Sequence, residues 1–493
     1  MTDRLRAARG VWRDRRARTA GDRAYLAYAL VMLVLIVGAP VLRAAWLGLT
    51  ERATAEALTE PGAAVVAAVA TLGVWAVALV VGRERGPAVA PPFLAHALLS
   101  SDLPRRVVFR AVTTTGIVVA ALLGVSIATF LGAAVAASGS VPASAVVGFA
   151  VRGLLIGALA GVGWLLGEAM PRIGLAAATT LLAVAVLLAA TASRTAAAVA
   201  PFSAWAWIGP RPGAGATVVL AVVALVGIAA VPALLDRTDG ATVTAQSARW
   251  DAVVAHTATL DFDAATESYQ ARPASGRRWR AVFGGAAHPV RLVLLRDVVG
   301  AVRTPARLVA GVLSITAAGL VLTVAGAGAG APAALLGALA AALLWAGTAP
   351  ISRGLHHVAQ VSRDQPLYGI VDGPLLAFHA VFPTALAVVV TSAVVAVGGG
   401  VLLPAAVALP VVVVAARASN ALRGPAPTFL MVPAPSAVGD PMPLLRVLWA
   451  LDAPLFAVLA GAAAGTGAAG VGAFLTVVAV VALGLLVRFA RRT

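Results

Sequence analysis

The sequence predicts an all-α polytopic membrane protein with about twelve transmembrane helices in two pseudo-repeated six-helix halves. Two features of the composition support the membrane assignment: 61% of the 493 residues are hydrophobic, and only 12% are charged. Soluble globular domains carry about 25% charged residues. The mean hydropathy is +0.95, and a chain of this length with so few charges can cover its apolar surface only with lipid.

Twelve apolar runs of about 20 residues, the length that crosses a bilayer as a helix, are the third observation. The first half contains six predicted spans, at 24–43, 61–82, 111–137, 142–167, 173–193 and 214–235. The second half contains the other six, at 308–328, 331–349, 374–396, 398–416, 445–465 and 469–488. Six spans return the chain to its starting side, so the two halves are expected to run parallel to each other.

Four segments are therefore expected. They are a basic amphipathic N-terminal segment (1–23), the first membrane half (24–235), a connector (236–307) and the second membrane half (308–493). The connector begins polar and mildly acidic, and its later part, "HPVRLVLLRDVVGAVRTPARLV", alternates apolar and arginine positions. That spacing is typical of a helix lying on a membrane surface.

The arginines predict the orientation. The sequence has no lysine, and eight arginines precede the first apolar run. With the N-terminus inside, segments 1–23, 83–110, 236–307, 350–373, 417–444 and 488–493 face the cytoplasm and hold most of the arginines. The opposite side receives only short loops such as 44–60. The positive-inside rule thus predicts a multi-pass plasma-membrane protein with both termini in the cytoplasm.

Two polar loops recur after the second span of each half, "ALLSSDLPRRVVFR" at 97–110 and "AQVSRDQPLYGIVD" at 359–372. Both contain Ser-x-Asp-x-Pro. We expect the Ser and Asp side chains to cap the N-terminus of a short helix, with the Pro in its first turn. The recurrence predicts an internal duplication and a short helix across the cytoplasmic mouth of each half. An ordinary capped loop is the alternative.

The order of these elements resembles that of type-2 ABC exporter permeases: a basic N-terminal segment, six spans, and a cytoplasmic helix between spans two and three. More narrowly, "HALLSSDLPRRVVFR" is similar to a loop of permeases from GC-rich Gram-positive bacteria in which two six-span units are fused. The resemblance implies two polar loops that bind ABC ATPase subunits, in two copies. The coupling residues it implies are Ser100, Ser101, Asp102, Pro104, Arg105 and Arg106 in the first loop, and Ser362, Asp364, Pro366 and Tyr368 in the second.

The same resemblance implies an exporter whose energy comes from another chain. No G-x-x-x-x-G-K-[ST] occurs here, so ATP and Mg²⁺ are expected in the partner ATPase, with no cofactor in this chain and no enzymatic activity of its own. The apolar character of the spans favours a hydrophobic or amphipathic small molecule, lipid or peptide as cargo. Nucleic acid is not expected, because the arginines flank the spans and suit lipid headgroups. The absence of cysteine excludes disulfides and thiol chemistry.

Two other function classes fit the pattern less well. A secondary transporter of major-facilitator-like 6+6 organisation shares the span count, but the loop after span two lacks the G-x-x-x-D-R-x-G-R-R signature of that class. A polytopic lipid-modifying enzyme needs acidic or histidine-bearing outer loops, and the outer loops are short. The cytoplasmic pair His356–His357 has no acidic neighbour at metal-ligand spacing and is expected to be solvated.

Three polar residues inside the predicted spans are candidates for the translocation pathway: Arg152, His379 and Asp452. Arg152 lies about ten residues into the fourth span, where a charge costs about 2.5–3.5 kcal/mol on insertion scales and marks an inward-facing or hydrated site. His379 and Asp452 lie nearer the cytoplasmic face. For them, snorkelling or a helix–helix hydrogen bond is the alternative.

Overall fold

The computed structural model describes residues 34–59, 61–191, 214–258, 288–326, 330–361, 370–424, 427–432 and 442–491, with single positions elsewhere. This part of the chain consists of helices and turns, without a β-strand. It divides into two compact units, which we call unit 1 (Met1–Ala255) and unit 2 (His256–Thr493). Each unit is described by itself below.

Unit 1 begins with a π-helical turn, Val34–Gly38. Its described helices are α1 (Ala39–Thr50), α2 (Arg52–Thr59), α3 (Pro61–Glu84), α4 (Pro92–Leu99), α5 (Arg105–Val108), α6 (Arg110–Ala137), α7 (Ala143–Ala169), α8 (Pro171–Thr191), α9 (Ala214–Arg237) and α10 (Gly240–Ala258). Proline at the start of α3, α4 and α8 suits the first turn of a helix, where its missing N–H costs no hydrogen bond.

Unit 2 contains a second series of helices. They are α11 (Pro289–Val302), α12 (Pro305–Gly326), α13 (Gly330–Thr348), α14 (Arg353–Val361), α15 (Asp372–Val397), α16 (Leu403–Ala421), α17 (Met442–Gly465) and α18 (Val471–Ala490). Short 3-10 turns occupy Ala349–Ile351, Thr428–Met431 and Gly467–Gly470. The later part of the predicted connector, just before the seventh predicted span, was expected to be helical and forms α11.

Ten helices of the described residues are long and apolar enough to cross a membrane. They lie at Ala67–Glu84, Arg110–Ala137, Ala143–Ala169, Thr217–Arg237, Pro305–Gly326, Pro332–Ile351, Asp372–Val397, Leu403–Ala421, Leu444–Gly465 and Gly467–Ala490. The prediction of an all-α, multi-pass membrane protein is confirmed. The fifth predicted span corresponds to α8, whose shorter stretch Pro171–Ala185 is apolar. The first, 24–43, is described continuously only from residue 34, so the count of twelve stays a prediction.

Two sequence-based boundaries are wrong. The segment 44–60, expected as a loop, is helical, because α1 continues to Thr50 and α2 follows almost at once. The tenth span, expected from residue 398, begins at Leu403. Gly399 and Gly400 have φ of 105° and 74°, a backbone conformation that ends one helix in a turn before the next begins. The N-terminal segment 1–23 lies outside the described residues apart from single positions.

The two units share several pairs of neighbouring helices, although unit 2 also packs α12 on α13 and α17 on α18, pairs whose counterparts among the described helices of unit 1 are weak or absent. In unit 1, α3 packs on α7 and α8, α6 packs on α7, and α7 packs on α9. In unit 2, α13 packs on α16 and α17, α15 packs on α16, and α16 packs on α18. The first helix also contacts the third in each unit, through α1·α6 and α12·α15. Each pair joins helices of the same rank in the two predicted halves.

Glycine permits very close helix contacts in both units, and some of them join different pairs of helices; in unit 1 they join α7 to both α3, through Gly82 and Gly167, and α6. In unit 1 the contact between α6 and α7 is lined by Gly124, Gly153 and Gly157, and a Cβ added to Gly157 would lie 2.9 Å from the Cα of Ala121. In unit 2 the corresponding close approach joins α13 and α17 through Gly337, Gly461 and Gly465. Small residues let membrane helices bring their backbones into van der Waals contact.

Candidate functional site

The arginine-rich segments of each unit lie at one end of its helices, which we call the basic end. In unit 1 this end contains the last turns of α3, α7 and α9. In unit 2 it contains the last turns of α13, α16 and α18. A short helix follows the second long helix at this end of each unit. We call residues 92–108 (α4, a turn and α5) the first crossbar, and α14 the second crossbar.

The first crossbar is held by a buried apolar face. Leu94, Ala95 and Leu98 of α4 are buried in a cluster with Val108 and Phe109. The same cluster takes in side chains from α7, α9 and α10, namely Val162, Leu165, Leu234, Leu235 and Val243. The opposite face of α4 is exposed, and Phe93 retains 54% of its accessible surface. The crossbar therefore cannot shift without displacing the ends of three neighbouring helices.

The serines of the first loop bind the helix before them. The Ser100 hydroxyl donates a hydrogen bond to the carbonyl of His96 (2.8 Å), and the Ser101 hydroxyl donates to the carbonyl of Leu98 (2.6 Å). Pro104 occupies the N-cap of α5, which has no side-chain cap. The predicted capping of a following helix by these serines is wrong. Since α4 forms upstream of them, its last free carbonyls are the nearest acceptors.

The arginines of the first crossbar face acidic groups of unit 1. The Arg106 backbone N–H donates to Asp236 Oδ1 (3.1 Å), and its Nε lies 3.6 Å from Asp236 Oδ2. Asp239 accepts hydrogen bonds from the Thr242 hydroxyl (2.8 Å) and backbone N–H (2.9 Å). These bonds, with a smaller contribution from the charge of Arg105, lower the pKa of Asp239. Among the predicted coupling residues, Ser100, Asp102, Pro104 and Arg106 keep an exposed surface.

The beginning of the predicted connector belongs to the same end of unit 1. Helix α10 carries Gln246, whose Oε1 accepts a hydrogen bond from the Gly86 backbone N–H (2.8 Å). The guanidinium of Arg85 lies 3.4 Å from the ring centroid of Trp250, also on α10. Residues 240–255 of α10 therefore form part of the structure that supports the first crossbar.

Glu168, at the end of α7, is buried beside this attachment. Its Oε2 accepts a hydrogen bond from the Ala88 backbone N–H (3.0 Å), whereas Oε1 has no hydrogen-bond partner within the part of the chain that the structure describes. Taken from its position at the end of the fourth predicted span, Glu168 would be expected at the cytoplasmic interface. It is instead 3% exposed, because the segment after α3 folds over it.

The second crossbar is also fixed by an apolar face. Leu355, Val358 and Ala359 of α14 are buried against side chains of α11, α15 and α16, namely Val293, Leu375, Leu376, Val414 and Ala418. The predicted coupling residues Ser362, Asp364, Pro366 and Tyr368 lie outside the described residues, so their role stays a prediction.

His379 lies beneath the second crossbar. Its Nδ1 is 2.7 Å from Asp297 Oδ2 on α11, and the histidine side chain is fully buried. A Cβ on Gly354 would clash with the His379 ring, so α14 passes directly over it. His357 lies edge-on to His379, with ring centroids 6.5 Å apart. The expectation that His356 and His357 are solvated is wrong, because both are half-buried.

Asp452 joins three helices of unit 2. Its Oδ1 accepts a hydrogen bond from Arg423 (2.5 Å) just after α16, and its Oδ2 pairs with Arg488 of α18. Arg488 also donates to the Ser419 hydroxyl (3.0 Å) on α16. This arrangement matches the helix–helix alternative considered for Asp452 from the sequence.

Arg152 lies inside unit 1. It is fully buried, and its Nε donates to the Thr217 hydroxyl (2.8 Å), which links α7 to α9. The sequence reasoning missed Arg417, a second buried arginine, on α16. Its Nε donates to the Thr348 hydroxyl (2.8 Å), and its guanidinium lies 4.3 Å from the Trp345 ring centroid. The tenth span was predicted to end at residue 416, which left Arg417 in a loop, whereas α16 continues to Ala421.

The three candidates for the translocation pathway thus have separate surroundings. Arg152 belongs to unit 1, and within unit 2 His379 and Asp452 have different partners. The described residues contain no group of three His, Asp or Glu side chains suited to a metal ion. Comparison of the chain with family models, with curated proteins and with solved structures found no match.

Proposed function

We propose that this chain is the permease subunit of an ABC transporter, moved by separate ATPase subunits that bind the two crossbars. One observation carries the proposal. In each unit a short helix follows the second long helix and is fixed to its neighbours at the basic end by a buried apolar face. A helix held in this way transmits displacement, because force applied to its exposed side moves the membrane helices to which it is attached.

The repeated neighbour pairs support a duplicated architecture of twelve spans in two six-helix halves. If the two halves run parallel, as the count of six spans in each predicts, both crossbars would face the same side of the membrane. The positive-inside rule assigns that side, and both termini, to the cytoplasm of a cell whose plasma membrane holds the protein. ATP is available there, so two ATPase subunits, each with its own ATP and Mg²⁺, would have access to both crossbars.

The character of the spans favours export of a hydrophobic or amphipathic cargo. Arg152, Arg417 and Asp452 are each occupied by protein partners, as described above. The remaining surface of the long helices is mainly Ala, Val, Leu and Gly. Such a surface is suited to a lipid, an apolar peptide or a small amphipathic molecule, and offers few fixed charges to a polar solute.

A second candidate is a secondary transporter of major-facilitator-like 6+6 organisation. Glu168 favours it, because a buried carboxylate with one unpartnered oxygen is the kind of group that binds and releases a proton in ion-coupled carriers. If the protein is a secondary transporter, Glu168→Gln should abolish transport driven by a proton gradient. If it is an ABC permease, the same variant should still transport when the partner ATPase hydrolyses ATP.

The decisive experiment uses the cysteine-free background. Cysteine is introduced at Ala97, on the exposed face of α4, and in a control at Val77, which is exposed on the long helix α3. After cross-linking in membranes of the native host, Ala97→Cys should capture a protein with a nucleotide-binding P-loop, and Val77→Cys should not. Mass spectrometry of the cross-linked product identifies the partner.

Charge reversal then tests the crossbars themselves. Asp102→Arg combined with Asp364→Arg should prevent co-purification of the ATPase and ATP-dependent transport. Arg491→Asp, a reversal at an exposed residue after α18, serves as the control for general charge effects. The proposal is wrong if complex formation survives the double reversal, or if the purified chain transports on an ion gradient without a nucleotide-hydrolysing partner.

A further inference from the structure

A cavity of about 280 Å³ opens at the basic end of unit 2. Its wall combines the end of α11, the turn that ends α13 and the start of α14. The charged and titratable residues that line it are Arg296, Asp297, Arg303, Arg353 and His357. The apolar part of the wall includes Val299, Pro350 and Ile351. Arg353 is also an exposed residue at the start of the second crossbar, so the cavity adjoins the surface that the proposed coupling uses.

The wall carries an excess of positive charge. Arg296 and Arg353 are exposed, and no described residue forms a hydrogen bond or ion pair with either of them. Arg303 is held in place, because its Nε donates to the Gly276 carbonyl (3.2 Å) and its NH2 group donates to the Trp279 carbonyl. Three arginines therefore line the cavity, one oriented by backbone carbonyls and two without an acceptor among the described residues.

The acidic residue of the wall does not neutralise this excess. Asp297 is 9% exposed, and its Oδ2 lies 2.7 Å from His379 Nδ1 behind the wall. One of its two oxygens is thus engaged by the buried histidine, and a single carboxylate is outnumbered by the three arginines of the wall. The cavity consequently presents guanidinium donors to any molecule that enters it. Guanidinium groups form their strongest hydrogen bonds with carboxylate and phosphate oxygens.

The level of the cavity favours phosphate. Pro350 and Ile351 lie at the end of the apolar stretch Pro332–Ile351. The preceding apolar stretch, Pro305–Gly326, starts just after Arg303. The cavity thus lies where long apolar helices end, the depth at which lipid phosphates lie in a bilayer. The apolar residues of its wall would face the glycerol and first methylenes of a lipid.

We propose that this cavity binds a phosphate-bearing anion through Arg296, Arg303 and Arg353. The headgroup of an anionic phospholipid and a free phosphate solute present the same chemistry to these guanidinium groups. A volume of about 280 Å³ accommodates a phosphate together with a glycerol-sized group. Bound there, the anion bridges α11 to α14 and steadies the second crossbar against the helices beneath it.

The test uses the full chain purified in detergent. Gly300 lines the cavity, and a Cβ at this position would meet no atom within 4 Å, so Gly300→Cys provides a site for an environment-sensitive fluorophore. The labelled protein is titrated with phosphatidylglycerol, with phosphatidylcholine and with inorganic phosphate. We expect a saturable response to phosphatidylglycerol or inorganic phosphate, and a weaker response to phosphatidylcholine, whose choline opposes the arginines.

Substitutions show whether the cavity causes the response. Arg296→Gln and Arg353→Gln should each weaken the apparent affinity roughly tenfold, the usual effect of losing one charge-assisted hydrogen bond. Arg291→Gln is the matched control, because Arg291 is exposed on the same helix but does not line the cavity. It should change the affinity by less than about twofold, since salt screens distant exposed charges. Arg296→Lys should retain part of the binding.

The outcomes separate the sources and decide the proposal. Saturation by phosphatidylglycerol alone identifies a lipid headgroup, and saturation by inorganic phosphate identifies a free solute; both support the site. Equal weakening by all three glutamine variants means that general attraction to a basic surface causes the response, and overturns the proposal. Absence of a saturable response overturns it too, provided that native mass spectrometry of the unlabelled wild-type chain also detects no bound phosphate compound.

Discussion

Replacement of Asp452 by asparagine should destabilise unit 2 strongly. The carboxylate lies between Arg423 and Arg488, and the three side chains keep only 24%, 9% and 17% of their accessible surface. Asparagine retains the shape of the side chain but removes its charge. Two guanidinium groups then face each other across a partly buried site without a counter-ion.

The size of the effect follows from this burial. Removing one partner of a buried ion pair costs about 3–5 kcal/mol because the other charge is left uncompensated. These side chains retain some contact with the surroundings, and screening reduces the cost, so we expect about 2–3 kcal/mol. A loss of 1 kcal/mol lowers the melting temperature of a unit of this size by about 2–4 °C. The expected shift is therefore about 4–12 °C.

Thermal unfolding in detergent, followed by tryptophan fluorescence, measures this shift. Glu56→Gln is the control, because it breaks the exposed Arg52–Glu56 pair, and such pairs contribute about 0.3–0.5 kcal/mol. Adding Arg488→Gln to Asp452→Asn should restore part of the lost stability, since one of the two opposed charges is removed. This reasoning would be refuted if the Asp452→Asn and Glu56→Gln variants had the same melting temperature. Loss of transport with unchanged melting would return Asp452 to the translocation pathway.

Three further changes test other parts of the structure. Gly157→Val should sharply reduce the yield of folded protein in size-exclusion chromatography by forcing α6 from α7, whereas Gly73→Val, whose Cβ meets no atom within 4 Å, should not. Asp239→Ala should cost about 1 kcal/mol as a lost helix cap. Hydrogen bonds from α10 lower the pKa of Asp239, so its contribution to stability is present above the ordinary carboxyl pKa and is lost as pH falls through the folded-state value; melting curves of the variant should lack this acid-dependent loss. Burial and the charge of Arg296 lower the pKa of His357, and a bound anion would raise it. The affinity for phosphatidylglycerol, whose phosphodiester does not change its charge near neutral pH, should therefore increase as pH falls and His357 gains a proton, and His357→Gln should abolish that increase.

The long helices were the part of the fold that the sequence predicted best. The run expected at 111–137 is α6, Arg110–Ala137, and the run expected at 374–396 is α15, Asp372–Val397. These boundaries are sharp because a charged residue or a glycine turn directly adjoins an uninterrupted apolar run. Where glycine and apolar residues are mixed, as at 398–402, composition alone does not show where the helix starts.

The contacts of polar residues were harder to predict. The sequence identified Asp452 and His379 as unusual, but their partners Arg423, Arg488 and Asp297 lie far along the chain. Only helix packing brings these charges together. The prediction that the serines of the first loop cap the following helix was wrong for a related reason. Their hydroxyls can reach either the end of the preceding helix or the start of the following one, and the local motif does not show which they bind.

Because the glycine contacts lie between different helices, different groups of helices are held rigidly together in the two units. In unit 1 glycine contacts bring the backbone of α7 against both α6 and α3, so these three helices should move together. In unit 2 comparable contacts lie between α13 and α17, and α15 and α16 meet without them. The same force applied to each unit would therefore displace different groups of helices. Two units that share several helix pairs would thus respond unequally to the same force.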